Sequence, residues 1–202
     1  MSAASDPSII TLIQHADQGN SLVVKTGGIF NVESGGALKL AGVDVTATVS
    51  ALANNAARYV AAGSTKALTA ANDKQTIKLD TLTGSVVTLP AATGSGVRFK
   101  FLVSVLATSN SHKIQVANAS DFMVGIISGP NTSTGAFTAF AAANSGTVAT
   151  NSDTITLNRA GTGSASVGEW IDVEDVAANT WAVNGLLSAA AAAFTTPFTA
   201  AV

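Results

Sequence analysis

The chain has 202 residues, of which only 11% are charged and 5% aromatic; it has no cysteine and a net charge of −2. A typical soluble protein carries about 25% charged residues, so this composition suits surfaces covered by another subunit rather than a free monomer. Disulfide staples, thiolate chemistry and cysteine metal sites are excluded, and the ten basic residues, scattered singly, give no electrostatic footprint for nucleic acid.

The opening stretch Met1-Ser-Ala-Ala-Ser-Asp-Pro7 lacks the basic region and long apolar core of a secretory signal, so the expectation is a product kept in the cytoplasm until assembly. Asp6-Pro7 predicts the start of a short helix, since proline is tolerated in a first turn. Ile9, Ile10, Leu12 and Ile13 give that helix an apolar stripe before Gly19 ends it. Residues 1–17 are therefore read as an anchoring arm.

An eight-residue repeat follows: Gln18–Lys25, Thr26–Glu33 and Ser34–Ala41. Its second position is Gly19, Gly27 and Gly35 and its third is Asn20, Gly28 and Gly36, residue types that accept positive φ in a tight corner. Its fifth and seventh positions are Leu22 and Val24, Phe30 and Val32, Leu38 and Leu40, so each corner leads into a strip that turns two large apolar groups to one side. Three such strips cannot enclose a core alone. The expectation is a shaft over 18–45 built with other copies of the chain; a hairpin meander within one chain is the alternative.

Val45, Val49, Leu52, Ala56 and Tyr59 continue at heptad spacing. They predict a short helix, which either continues the shaft axis or packs on the next domain, and with its linker it spans 46–62. From residue 63 the pattern is strand after strand: Gln75–Leu79, Ser85–Leu89, Val97–Val105, Lys113–Val116, Phe122–Ile127, Gly135–Phe140, Asp153–Leu157, Glu169–Val173 and Thr180–Val183. Polar and glycine-rich turns between them favour an antiparallel β-sandwich or jelly roll over 63–202. In Ile77-Lys78-Leu79 and Phe99-Lys100-Phe101 the lysine faces water while its neighbours go inward.

Candidate chemistry is sparse. His15 and His112 stand apart from any carboxylate cluster or i, i+4 partner, so both read as surface or interface histidines rather than metal ligands. Asp172, Glu174 and Asp175 are the one dense acidic group, read as a solvated strand face; three carboxylates fall short of the six or more oxygens calcium needs. The stretches Thr93-Gly-Ser-Gly-Val97 and Ala160-Gly-Thr-Gly-Ser164 lack a following Lys-Ser/Thr and precede strands, so they read as hairpin loops rather than phosphate cradles. Trp170 and Trp181 are expected to meet across a hairpin or cover the core edge, with stacking on a sugar as the sharper alternative. The uncharged stretch from Val176 to Val202 is interrupted too often by Asn, Gly, Thr and Pro to span a membrane as a helix.

Three stretches resemble the trimeric virion proteins of tailed bacteriophages, such as head fibres, capsid decoration proteins and tail fibres. The octads running into Leu38-Lys-Leu-Ala-Gly-Val-Asp-Val-Thr-Ala-Thr48 look like their shaft and short helix. Leu68–Asp80 with Val86–Ala91 and Val97–Phe101 look like the opening strands of their β-rich heads, and Gly168–Val173 with Asn179–Val183 is similar to their closing hairpin. The resemblance implies a homotrimer on the virion surface, assembled in the host cytoplasm, with its N-terminal part anchored to the major capsid protein or another virion protein and its β domain projecting outward. It implies neither enzyme activity nor a cofactor. A role in stabilising the particle or assisting adhesion is expected, and the alternative is a tail-fibre or receptor-binding module that recognises a host surface glycan.

Overall fold

Alternation of large apolar with polar or small residues, the pattern of a strand with one buried face, sets most of the secondary structure. The computed structural model describes residues 13–15, 22–24, 39–41, 43–45, 58–145, 150–190 and 193–202. It divides into two units, Met1–Ala53 and Asn54–Val202.

In the first unit, β1 (Ile13–His15) pairs antiparallel with β2 (Leu22–Val24), Ile13 opposite Val24. A second hairpin joins β3 (Lys39–Leu40) to β4 (Val43–Asp44). Ala41 opens its turn at φ 49, the left-handed conformation that two-residue hairpin turns require. Ile13 therefore belongs to a strand and not to the expected helical stripe, consistent with the β preference of its branched side chain. Leu22, Val24 and Leu40 are extended, as the octads require, and both pairings are local hairpins within one chain. Val45 is half-buried. Ile9, Ile10, Leu12, Phe30, Val32, Leu38, Val49 and Leu52, with the corner glycines Gly19, Gly27, Gly28, Gly35 and Gly36, lie outside the described residues.

The second unit is mainly β, and its only described helical element is a 3-10 turn at Ala70–Asn72. The chain visits two sheets alternately. β5 (Tyr59–Ala61), β7 (Thr76–Leu79) and β9 (Arg98–Val103) enter one sheet, while β6 (Thr65–Ala67), β8 (Val86–Thr88) and β10 (His112–Gln115) enter the other. Because each strand returns to its sheet after a detour through the other, the successive pairs β5–β7, β7–β9, β6–β8 and β8–β10 are all parallel. Then β11 (Phe122–Pro130) and β12 (Phe137–Ala141) form an antiparallel pair, β13 (Thr154–Leu157) crosses over, β14 (Trp170–Ala177) and β15 (Thr180–Leu186) form a hairpin, and β16 (Phe198–Thr199) ends the path. The larger sheet has the order β12-β11-β15-β14-β9-β7-β5 and the smaller β16-β13-β10-β8-β6.

Both sheets are thus mixed rather than antiparallel. The alternation seen in sequence is the same for either pairing, and connections of three to nine residues such as 62–64 and 89–97 fit a hairpin and a sheet-to-sheet crossing equally well. Of the helix and linker expected over 46–62, residues 46–57 lie outside the described residues, and Tyr59 stands on β5 rather than on a helix, with its side chain 57% exposed.

Inward residues of the larger sheet (Ile77, Leu79, Phe99, Phe101, Ile171, Val173, Trp181) and of the smaller (Val87, Ile114, Ile155, Leu157) join one core cluster. Lys78 and Lys100 alternate with buried neighbours as expected, Lys100 exposed and Lys78 half-buried. The parallel β11–β15 pair brings two backbones unusually close, and a Cβ added at Gly129 would overlap the Leu187 carbonyl oxygen. Gly129→Ala should therefore destabilise the domain by about 2 kcal/mol through backbone displacement, read as a lower denaturation midpoint at unchanged m-value.

Candidate interaction surface

The residues that sequence nominated for chemistry are tied into the fold. His112, at the start of β10, is fully buried. Its Nδ1 accepts from the Ser85 N–H at 3.0 Å and its Nε2 lies 2.8 Å from the Val105 carbonyl. That pair of partners requires the neutral tautomer with the proton on Nε2. The ring joins the end of β9's connection to the start of β8, one strand from each sheet, so the surface reading is corrected. Burial pushes the imidazolium below the ordinary histidine range, against the Val105 carbonyl and the Asp80 and Glu169 charges that favour the cation.

Asp175 is likewise buried, not solvated. Its carboxylate accepts from the N–H groups of Thr93, Gly94 and Ser95 at 2.7–3.0 Å and from the Thr93 and Ser95 hydroxyls. Burial favours protonation, yet the Ser95 hydroxyl and the three backbone donors outweigh it and hold the carboxyl down at about 2. The loop dismissed as a phosphate cradle is an anion cradle after all, filled by the chain's own side chain. The second glycine loop follows suit: buried Glu169 accepts from the N–H groups of Ser164 and Ser166 and from the Ser188 hydroxyl.

Trp181 is completely buried against Phe99, ring centroids 5.9 Å apart, with no hydrogen-bond partner for its indole N–H. Trp170 faces the other side of the larger sheet. Register places Trp170 opposite Leu186 and Trp181 opposite Asp175, so the two indoles do not meet, and only Trp170 can touch anything outside the chain.

Trp170 stands at the centre of the larger sheet's outer face. Register aligns Ala139, Ser128, Leu186, Trp170, Leu102, Lys78 and Ala61 in one row across all seven strands. The next row runs Ala141, Ile126, Asn184, Asp172, Lys100, Thr76 and Tyr59. Ile126 is 55% exposed, Leu186 41% and Phe137, at the β12 edge, 65%. Two of the cations on this face have partners: Arg98 Nη2 lies 2.6 Å from Glu174 Oε2, and Lys100 Nζ sits 5.1 Å from the Trp170 ring centre. A depression of about 170 Å³ lies beside that pair, lined by Arg98, Asp172, Glu174 and Asn184. The arrangement is a broad, nearly neutral sheet face on which exposed apolar groups (Ile126, Leu186, Phe137, Tyr59) alternate with polar and charged ones, and exposed apolar groups gathered in this way are what a contact surface offers.

A larger cavity of about 570 Å³ opens at the end of the smaller sheet, lined by Ser64, Thr83, Asn110, Ser111 and Lys113 with no carboxylate or imidazole. At the far end of β11, Ser128–Pro130 are still strand and Asn131 is buried, leaving Thr132–Thr134 as an exposed turn. Among the described residues no group of three or more His, Asp or Glu side chains could hold a metal ion, and no helix is long and apolar enough to cross a membrane. Sequence reasoning missed the outer face because rows across a sheet exist only once strand order is known.

Two acid-sensitive limbs follow from these groups. His112 is neutral in the fold, so stability is complete above its unfolded value of about 6.5 and should decline as pH falls through it; His112→Gln should abolish that limb in a plot of unfolding midpoint against pH. Asp175, depressed in the fold, contributes above its ordinary value of 3.8, and this contribution is lost as pH falls from there toward about 2. Asp175→Ala, which strands five donors, should cost about 3 kcal/mol at neutral pH, measured by chemical denaturation. Comparison of the chain with protein-family models, curated proteins and solved structures returns no match.

Proposed function

We propose that this chain is a non-enzymatic structural protein of a tailed-bacteriophage virion, a homotrimer that decorates or projects from the capsid, anchored by its N-terminal part to the major capsid protein or another virion protein. The observation that carries an assembly role is the outer face of the larger sheet, where Leu186, Trp170 and Leu102 stand side by side in one row and exposed Ile126 and Tyr59 lie in the next. A face of that kind gains from being covered, at roughly 25 cal/mol per Å² of apolar area before association costs. The octads add short strips that need neighbours, and the low charge of 11% fits a subunit with much of its surface in contact. The bacteriophage assignment rests on the resemblance of the octads, the opening strands and the closing hairpin to such proteins.

In this reading the two mixed sheets stack as a β-sandwich head and the octads form a repeat shaft. Threefold repetition multiplies weak anchors into a persistent attachment. A host surface glycan is the alternative occupant of the same face, favoured by the half-exposed Trp170 ring, since indoles stack on the apolar faces of sugars.

Light scattering of the purified protein should give three times the chain mass of 20.0 kDa. A stable monomer at micromolar concentration would sink the trimer. Immunogold labelling should decorate the heads of intact particles, and labelling confined to tails, with reproducible signal on a glycan array, would favour the receptor-binding alternative.

A further inference from the structure

We propose that the two edges of the larger sheet, β12 and β5, pair with each other between copies of this chain, β12 of one copy adding to β5 of the next, so that the sheet continues from subunit to subunit. The proposal deepens the assembly reading above and rests on it.

Backbone register decides which groups each edge offers. The bonds Asn131 N–H to the Ala136 carbonyl and Ala142 N–H to the Gly125 carbonyl fix the parity of β12: residues 136, 138, 140 and 142 turn their backbone groups toward β11. Phe137, Ala139 and Ala141 therefore aim their N–H and C=O groups away from the sheet. At the opposite edge, Thr76 N–H donates to the Arg58 carbonyl and Ala62 N–H to the Lys78 carbonyl, so residues 58, 60 and 62 face β7. Tyr59 and Ala61 aim their backbone groups outward. Among the described residues no strand lies beyond either edge.

Natural edges are normally blunted by lysine, proline, shortness or a covering segment. The smaller sheet follows that rule: β6 carries Lys66 at its centre, and β16 has two residues preceded by Pro197. The larger sheet has neither lysine nor proline at its two edges, although β5 is as short as β6. β12 reads Phe-Thr-Ala-Phe-Ala and β5 Tyr-Val-Ala, without charge or proline. The side chains of Phe137, Ala139 and Ala141 are exposed, as are those of Tyr59 and Ala61, so nothing on either strand obstructs an incoming backbone.

A second copy is the occupant that satisfies both edges at once. Pairing β12 with β12 would be isologous, would stop at two chains and would leave β5 open on each. Pairing β12 with β5 is heterologous and uses both edges of every copy, giving a closed ring where the rotation between copies closes, as the trimer of the assembly reading requires, and it carries the outer-face row that ends at Ala139 and Ala61 on into the next subunit.

Proline at an outward position removes an intersubunit donor while sparing every bond inside the sheet. Ala139→Pro and Ala61→Pro should each weaken self-association at least tenfold by sedimentation, with an unchanged far-ultraviolet spectrum. In the unaltered protein, hydrogen exchange at the amides of 59, 61, 137, 139 and 141 should slow as protein concentration rises. That measurement decides the matter if either variant fails to fold. An oligomer that persists in both variants, or whose edge amides exchange freely, overturns the edge pairing and leaves the assembly reading standing. Dissociation by Ala139→Pro alone overturns the head-to-tail arrangement in favour of β12 with itself. A monomer at every concentration overturns both.

Discussion

Backbone N–H groups aimed at buried carboxylates hold the second unit in shape. Among the described residues four acidic side chains, Asp121, Asp153, Glu169 and Asp175, are buried, and each accepts from main-chain donors in a segment distant from its own strand or beside it. None is paired with a cation: the two described ion pairs, Lys74–Asp73 and Arg98–Glu174, are at the surface. A buried charge is tolerable when donors reach its oxygens, as they do here on every one but Asp121 Oδ1, which has no partner, and irregular loops have spare N–H groups that strands do not. The two needs cancel. A chain whose connections run from sheet to sheet has many such loops, and the carboxylates fix where each begins and ends.

That arrangement also accounts for the low surface charge in a way composition alone does not. Acid that a typical domain displays to water is spent inside, and the exposed lysine and arginine of the larger sheet are matched to Trp170 and Glu174. The outer face that remains is close to neutral. It offers little to steer a charged ligand and much for a flat partner to cover, which is the ground on which a contact role is proposed for it.

Strands were legible in the sequence and their partners were not. Nine stretches chosen for alternation and flanking turns contain β7 to β15, with ends differing by a few residues, because a half-buried strand writes its period locally. β5, β6 and β16 are two or three residues long, too short to show a period. Parallel pairing leaves no local trace, since it depends on where a chain goes after leaving its sheet. The burial of Asp175 was nonetheless readable: it shares parity with Ile171 and Val173, as His112 does with Ile114. Charge outweighed parity in the reading of Asp175, and the want of a metal-ligand partner did so in that of His112; both polar side chains went inward because the loops beside them supplied partners.

The alternating path has a temporal side. The larger sheet has β14 at its centre with β15 beside it, and these strands are separated from their neighbours β9 and β11 by roughly fifty residues or more of chain. Until residues 170–186 emerge, β5, β7 and β9 and the hairpin of β11 and β12 are two half-sheets with no strand to join them. Closing such long loops is entropically slow, so the domain completes its core late in synthesis. The open edges are then displayed first by chains that have not finished folding.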